Sequence, residues 1–196
     1  MGALSRFAVA VAAVLFVPVA TADEPPSQPR ITSVQYSGNG CPNDASRTGG
    51  FNDPTFTYNR FAAVLPGVNQ TVNCEIHVQA TGASAGWQVA LSDVTVAGHL
   101  TLDPGTRLDY YTTVFYSENA GSTCTARQRK SNTGTSRLDA QVVLHQDITT
   151  PVWSQCIGGD GSPGILNVNF RSALTGNGHA YFEVATENWD FIWRRC

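Results

Sequence analysis

The sequence predicts an all-β fold, an antiparallel β-sandwich or jelly roll that is stabilised by disulfides. Three observations support this prediction: polar and apolar residues alternate in several segments, turn-forming residues separate those segments, and no stretch of about ten residues has a convincing helical period. Roughly ten short strands with frequent turns are typical of sandwiches and jelly rolls.

The N-terminal 22 residues are predicted to be a secretory signal peptide. Arg6 supplies a positive charge, residues 7–20 are almost uninterrupted apolar sequence, and residues 20–22 read Ala-Thr-Ala, the pattern of a cleavage site. Removing 22 of the 196 residues leaves 174, a length that suits one domain. Residues 23–30 contain three prolines and predict an extended arm, which is followed by a single domain over residues 31–196.

The charge balance limits the expected partners and location. Removing Arg6 with the signal peptide changes the net charge from −3 to −4, and nucleic-acid binders rely on clustered positive charge. Arg127, Arg129 and Lys130 form the only basic cluster, and turn-forming residues around it predict a solvated loop. No later segment approaches the about 18 apolar residues of a membrane span. We therefore expect an extracellular, secreted protein with no nucleic-acid partner and no cofactor.

Alternation marks the individual strands along the chain. Within residues 74–80, Glu75 and His77 fall on the polar face, and similar alternation recurs at residues 87–91, 138–145 and 189–193. Asn177-Gly178 separates residues 165–174 from residues 179–186 and predicts a β-hairpin.

Five cysteines follow the signal peptide, and in an oxidising compartment they are expected to form disulfides. The number is odd, so one thiol is left over, and the sequence alone leaves fifteen connectivities open. We prefer Cys41–Cys74 and Cys156–Cys196, because residues 156 and 196 share a Trp-x-x-Cys pattern. Cys124, in the polar stretch 119–134, is then the free or extra cysteine.

Asn69-Gln70-Thr71 is the only N-glycosylation sequon in the chain. It follows Pro66-Gly67, so we expect Asn69 to lie on an exposed loop of a glycoprotein, while its occupancy stays open.

Paired carboxylates provide an enzymatic hypothesis. Glycosidases on small β folds use one carboxylic acid as proton donor and a second carboxylate as nucleophile or base. Glu75 and Glu183 are the weak candidates, each on a predicted strand, with Glu187 close behind. Ordinary solvent-facing carboxylates explain the same pattern, so no catalytic residue is assigned.

Two other chemical motifs are weaker. Residues 82–86 match the G-x-S-x-G elbow of α/β-hydrolases, but a strand follows where the elbow requires a helix, which favours a loop of small residues. His77 with Glu75, and His145 with Asp147, are spaced for a metal on a strand. Four histidines scattered along the chain favour coincidence, and no metal site is predicted.

The aromatic residues suggest either a binding platform or a core. Trp189, Phe191 and Trp193 share one strand face, and aromatic rings stack on sugars. Apolar strand faces usually form the core, which is the interpretation that we favour for this stripe. The same question stays open for three tyrosines, Tyr110, Tyr111 and Tyr116.

Several motifs together resemble a known family. They are Ser37-Gly-Asn-Gly-Cys41-Pro42, Asn73-Cys74, Gly98-His-Leu-Thr-Leu-Asp103, Val152-Trp-Ser-Gln-Cys156 and Trp193-Arg-Arg-Cys196. Their order and spacing resemble the domain of unknown function family 4360, small secreted proteins of fungi and filamentous bacteria. The resemblance implies a secreted, cysteine-bridged β-rich domain in which Cys41, Cys74, Cys156 and Cys196 match the recurrent cysteines and Cys124 is an addition. It carries no activity to transfer.

Together these observations favour a secreted, non-catalytic β-sandwich that binds a cell-surface or wall polymer, such as a polysaccharide, or an extracellular partner protein. Abundant aromatic residues, low charge and the absence of a convergent catalytic motif motivate this hypothesis. The alternatives are a small polysaccharide-active hydrolase that uses Glu75 and Glu183, and a secreted effector or toxin.

Overall fold

A computed structural model of the protein describes residues 24–41 and 45–196, so the predicted signal peptide lies outside the described residues. Within these ranges the chain forms β-strands and one short 3-10 helix, Ser117–Asn119. The strands are β1 (Arg30–Ser37), β2 (Ser46–Thr48), β3 (Thr55–Thr57), β4 (Ala62–Leu65), β5 (Thr71–Thr81), β6 (Trp87–Leu102), β7 (Arg107–Tyr116), β8 (Thr123–Ser131), β9 (Leu138–Asp147), β10 (Ile165–Thr175) and β11 (Ala180–Arg195).

The strands form two antiparallel sheets that pack face to face. The first sheet has the order β1-β5-β10-β7-β8, and the second has the order β2-β3-β11-β6-β9. The short strand β4 pairs with the start of β11, in line with β3. The predicted all-β sandwich is therefore confirmed. No helix in the described ranges is long and apolar enough to cross a membrane.

Alternation along the strands decides which side chains fill the space between the sheets. In β5, Cys74, Ile76 and Val78 are buried, while Glu75 and His77 between them remain partly exposed. Successive side chains of a strand point to opposite faces, so the buried set faces the second sheet. The second sheet contributes large buried side chains to the same core, including Leu100, Phe182 and Trp189.

The pairing of β6 with β11 runs along nearly the whole length of both strands and contains two register shifts. At the first shift, Ala185 is the extra residue between Val184 and Thr186, and its carbonyl accepts a hydrogen bond from the Tyr58 amide at 2.9 Å. Gly98 lies opposite this β-bulge, where a Cβ atom would collide with the Glu183 carbonyl oxygen. A bulge bends its strand, and glycine permits the close approach that results.

Two local predictions are wrong. Asn177-Gly178 does not close a hairpin, because β10 pairs with β5 and β7 whereas β11 pairs with β6, in the other sheet. The turn therefore carries the chain from one sheet to the other. The polar stretch that includes Arg127 and Arg129 is strand β8 rather than a solvated loop, because it pairs with β7 at the sheet edge. Edge strands tolerate charged side chains on both faces.

Two disulfides tie loops to strands, and they are the two pairs preferred from the sequence. Cys41 bonds to Cys74 on β5, and Cys156 bonds to Cys196, the residue after β11. Cys156 belongs to residues 148–164, a segment without strands. Cys124 is free and half-buried on β8, at the margin of the core.

Glu187 is a carboxylate inside the core, fully buried on β11. Its oxygens accept hydrogen bonds from the Trp189 indole at 2.6 Å and from the Tyr58 hydroxyl at 2.7 Å. Burial disfavours the charged form and raises the pKa of Glu187 to about 7, although these two hydrogen bonds act in the opposite direction. The fold therefore disfavours the charged form of Glu187.

Removing the Cys156–Cys196 bridge is expected to lower the free energy of unfolding by about 3 kcal/mol, because the bridge closes a long loop in the unfolded chain. Chemical denaturation of Cys156→Ser/Cys196→Ser measures this loss. Cys124→Ser is the control and should cost less than about 1 kcal/mol, since Cys124 forms no bridge. A double variant as stable as the parent would contradict this role of the bridge.

Glu187 is expected to make the protein less stable as pH rises. Its pKa is higher in the folded state than its ordinary value of 4.5, so the folded state binds the proton more tightly and loses that advantage between pH 4.5 and about 7. Above pH 7, ionising the buried Glu187 lowers the free energy of unfolding by about 3 kcal/mol.

Urea unfolding of the parent and of Glu187→Gln at pH 4 and pH 8 measures this effect. The stability of Glu187→Gln relative to the parent should increase by about 3 kcal/mol at the higher pH. Glu183→Gln, the same change at an exposed position of β11, serves as control and should show no such increase. If the difference in unfolding free energy between Glu187→Gln and the parent does not change with pH, the raised pKa of Glu187 in the folded state is contradicted.

Candidate functional site

The outward surface of the five-stranded sheet carries many polar side chains that donate or accept hydrogen bonds. Alternation places these residues outside because their neighbours along each strand are buried. We call this surface the polar face, and it is formed by Asn73, Glu75, His77, Tyr111, Thr113, Thr125, Arg127, Asn167, Asn169 and Arg171.

A cleft of about 430 Å³ crosses the polar face. Antiparallel register builds it from separate parts of the chain: Arg171 on β10 lies opposite both Asn73 on β5 and Tyr111 on β7. The next row places Asn169 between Glu75 and Thr113. The cleft is lined by Asn73, Tyr111, Thr113, Thr125, Asn169 and Arg171. Its volume lies within the range of ligand sites, about 300–1,000 Å³.

Two guanidinium groups flank the ring of Tyr111. The Arg127 guanidinium carbon lies 5.3 Å from the ring centroid, and that of Arg171 lies 5.2 Å from it. Both distances fall within the range of cation–π attraction, and cross-strand neighbours on a sheet face are held at this separation. Three planar groups are thus presented together at the cleft.

Asp109, two residues before Tyr111 on β7, binds three arginines, one of which is Arg127. Its carboxylate contacts Arg129 at 2.7 Å, Arg107 at 3.1 Å and Arg127 at 3.5 Å. Burial raises the pKa of Asp109, but the hydrogen bonds from these three arginines outweigh it and hold the pKa below its ordinary value. Asp109 therefore stays ionised and fixes Arg127 beside Tyr111.

His77 lies at the centre of a hydrogen-bonded row on the same face. Asn167 donates through Nδ2 to the Ser117 hydroxyl at 2.8 Å, which turns its Oδ1 toward His77 Nδ1 at 2.6 Å. An amide oxygen only accepts, so Nδ1 carries the proton. His77 Nε2 is then free to accept from the Ser37 hydroxyl at 3.1 Å.

The order hydroxyl, imidazole and amide is also the order that nucleophilic catalysis uses. The cleft beside His77 is about 210 Å³, smaller than a typical site for a small molecule, and it lies on an open sheet surface. A site of this kind does not exclude water from a reacting group. The row is an internal hydrogen-bonded network beside this cleft, because Asn167 is buried and both ends of its amide are already bound.

The carboxylates predicted from the sequence do not come together. Glu75 lies on β5 in the first sheet and contacts His77 at 3.7 Å, whereas Glu183 lies on β11 in the second sheet and accepts from the Tyr181 hydroxyl. Their strand neighbours are buried, so the two side chains point to opposite outer surfaces of the sandwich. A catalytic pair formed by these two residues is therefore excluded.

The histidine pairs are present, but they do not form a metal centre in the described ranges. His145 contacts Asp147 at 3.1 Å and Asp93 at 3.8 Å. Among residues 24–41 and 45–196, no group of three histidine, cysteine, aspartate or glutamate side chains is placed to hold a metal ion.

The aromatic stripe belongs largely to the core. Trp189 is buried against Phe56, with ring centroids 4.4 Å apart, and Phe191 stacks on Phe51 at 4.8 Å. The tyrosines divide between the two sides of their sheet: Tyr110 and Tyr116 are buried, while Tyr111 lies on the polar face.

The remaining predicted positions lie away from the polar face. Asn69 is exposed in the turn between β4 and β5, as expected of a glycosylation site. Residues 82–86 form the loop between β5 and β6, where Ser84 donates its amide to the Ser27 carbonyl at 3.1 Å. This loop binds the N-terminal arm and contains no strand-to-helix elbow.

A cleft of about 470 Å³ lies elsewhere, next to the segment of residues 148–164. It contains Trp153, whose ring is covered by the Arg194 guanidinium at 4.1 Å from the centroid. Glu118, in the same cleft, is already engaged by the Ile165 amide at 3.1 Å. Its aromatic surface and its carboxylate are therefore occupied by internal contacts.

The sequence pattern placed Glu75 and His77 on a polar strand face, but it did not indicate Asn169, Arg171 or Arg127 as site residues. The available signal was the alternation Asn167-Val-Asn169-Phe-Arg171, which places three polar side chains on one face of a strand. Nothing in the sequence gives the register that brings these residues to Tyr111.

Comparisons with known proteins identify the family to which the chain belongs. The family model described as "Domain of unknown function (DUF4360)" matches residues 27–196. No curated protein matches the chain. A solved structure titled "Structure of TmCBM61 in complex with beta-1,4-galactotriose at 1.4 A resolution" is similar with a TM-score of 0.29 and 10% identity, over 85% of this chain and 91% of that chain.

Proposed function

We propose that this chain, which belongs to the DUF4360 family of domains of unknown function, is a non-catalytic protein that binds polysaccharide through its polar face. The single observation that carries the proposal is the cleft of about 430 Å³, which is lined by amide, hydroxyl and guanidinium groups beside the Tyr111 ring. Sugars present many hydroxyl groups that both donate and accept hydrogen bonds, and such a lining matches them.

Rigidity of the lining supports the proposal. Asn169 is held by a hydrogen bond to Glu75 at 2.9 Å, and Arg127 is held by Asp109 and by the Tyr111 ring. Side chains that are already ordered lose little conformational entropy on binding, so more of the interaction energy appears as affinity. The strands beneath them are paired on both sides, except at the sheet edges.

We also propose that the protein works outside the cytosol. Its two disulfides are compatible with an oxidising compartment, since cytosolic thiols are kept reduced. The predicted signal peptide over residues 1–22 would direct the chain there, and extracellular or wall polysaccharides would then be its accessible ligands.

Substituting Tyr111 is expected to weaken polysaccharide binding. Purified protein would be incubated with insoluble chitin, β-glucan, cellulose and cross-linked polygalacturonate, and both protein retained on the pellet and soluble sugar released would be measured. The parent should be retained on at least one polymer without releasing sugar. Tyr111→Ala should reduce that retention by at least about fivefold, because Tyr111 lines the cleft and both flanking guanidinium groups rest against its ring.

Tyr181→Ala is the matched control, because Tyr181 lies on the second sheet beside Glu183. It should leave retention unchanged. Loss of retention in Tyr181→Ala but not in Tyr111→Ala would place binding on the opposite surface. Sugar release that disappears in Glu75→Gln or Glu183→Gln would show an enzyme, and a folded parent that is retained on no polymer would contradict polysaccharide binding.

A further inference from the structure

We infer that the sugar bound at the cleft is acidic and that Arg127 and Arg171 bind its carboxylate or sulfate group. The inference rests on the proposed function and specifies the chemical class of its ligand. The charge on the polar face differs in sign from the net charge of the whole chain.

The chain carries a net charge of −3, yet four arginines gather around Tyr111 and Asp109. Arg107, Arg127 and Arg129 share the single Asp109 carboxylate, and Arg171 approaches Tyr111 from the other side. One carboxylate neutralises one guanidinium group. Even when Glu75 on the neighbouring row is counted, this corner of the sheet keeps an excess of about two positive charges.

These guanidinium groups remain accessible to a ligand. The side chains of Arg107, Arg127 and Arg129 are 47%, 58% and 46% exposed, whereas that of Asp109 is only 6% exposed. Asp109 is therefore covered by its partners, and the positive groups form the outer layer. Arg171 is also exposed, and it lines the cleft directly.

The geometry suits an anion with several oxygen atoms. A guanidinium group is planar and donates parallel hydrogen bonds that match the two oxygens of a carboxylate or two oxygens of a sulfate. Arg127 and Arg171 stand on opposite sides of one ring, about 5 Å from its centroid, so they can approach a sugar acid from two directions. The amides of Asn73 and Asn169 remain for its hydroxyl groups.

The surroundings favour an acidic sugar over a nucleic acid. Nucleic-acid sites neutralise many phosphates along a stripe of positive charge. On the polar face the positive charge is confined to one end, in the rows of Arg107, Asp109 and Tyr111. The rows beyond them contain Thr113, Asn169 and Glu75, and then His77 and Asn167. A positive end beside neutral rows suits an acidic unit next to neutral hydroxyl-rich ones.

Matched soluble polymers test the inference by isothermal titration calorimetry. One pair is polygalacturonate and its methyl ester, in which esterification removes the carboxylate charge; the other is dextran sulfate and dextran. The parent should bind one acidic polymer at least about tenfold more tightly than its neutral partner. Tight binding to polygalacturonate alone assigns a carboxylate, and tight binding to dextran sulfate alone assigns a sulfate group.

Arg127→Gln and Arg171→Gln should each lower the affinity for the acidic polymer by about tenfold and leave affinity for a neutral polymer nearly unchanged. Arg194→Gln is the control, because Arg194 also covers an aromatic ring, that of Trp153, but lies on the second sheet. It removes the same charge and should not change affinity. Thermal unfolding of each variant checks that it is folded.

The outcomes separate the inference from the proposed function. Equal affinity for acidic and neutral polymers, with retention that still depends on Tyr111, overturns the acidic ligand and leaves polysaccharide binding standing. Affinity that survives in Arg171→Gln, or that is lost in Arg194→Gln, overturns the assigned site. Tighter binding of a thymidine oligonucleotide than of either acidic polymer overturns the choice of ligand class. Failure to bind any polymer in either experiment overturns both proposals.

Discussion

The antiparallel pairing of β6 with β11 is the constraint on which the rest of the structure depends. These strands are 16 residues each and form the centre of the second sheet, with β9 on one side and β3 and β4 on the other. The strands β7 and β10 follow β6 and precede β11 in the chain, and both belong to the first sheet. The β6–β7 and β10–β11 connections therefore join this central pair to the first sheet and hold the two sheets face to face.

The bulge at Ala185 explains why two glutamates of one strand behave differently. Glu183 and Glu187 are four residues apart, so uninterrupted alternation would place them on the same face. The extra residue reverses the alternation between them, so that Glu183 is exposed and Glu187 is buried against Trp189 and Tyr58. The sequence alone does not separate their environments, because a bulge depends on the partner strand and on Gly98 opposite it.

The fold class could be predicted because alternation and turn residues are local signals. Residues 74–80 and 138–145 alternate clearly, and both lie within strands. The hairpin expected at Asn177-Gly178 failed, since a turn motif does not say which sheet the next strand joins. The candidate site was largely beyond prediction, because Tyr111, Arg127 and Arg171 meet only through the register of three strands.

The charged edge formed by β8 has a consequence for how molecules of this protein meet one another. Strand β8 pairs with β7 on one side only, which leaves a row of backbone groups that a second copy of the strand would be able to join. Arg127, Arg129 and Lys130 would then bring like charges from two molecules together. Repulsion between these like charges would thus oppose self-association along this edge.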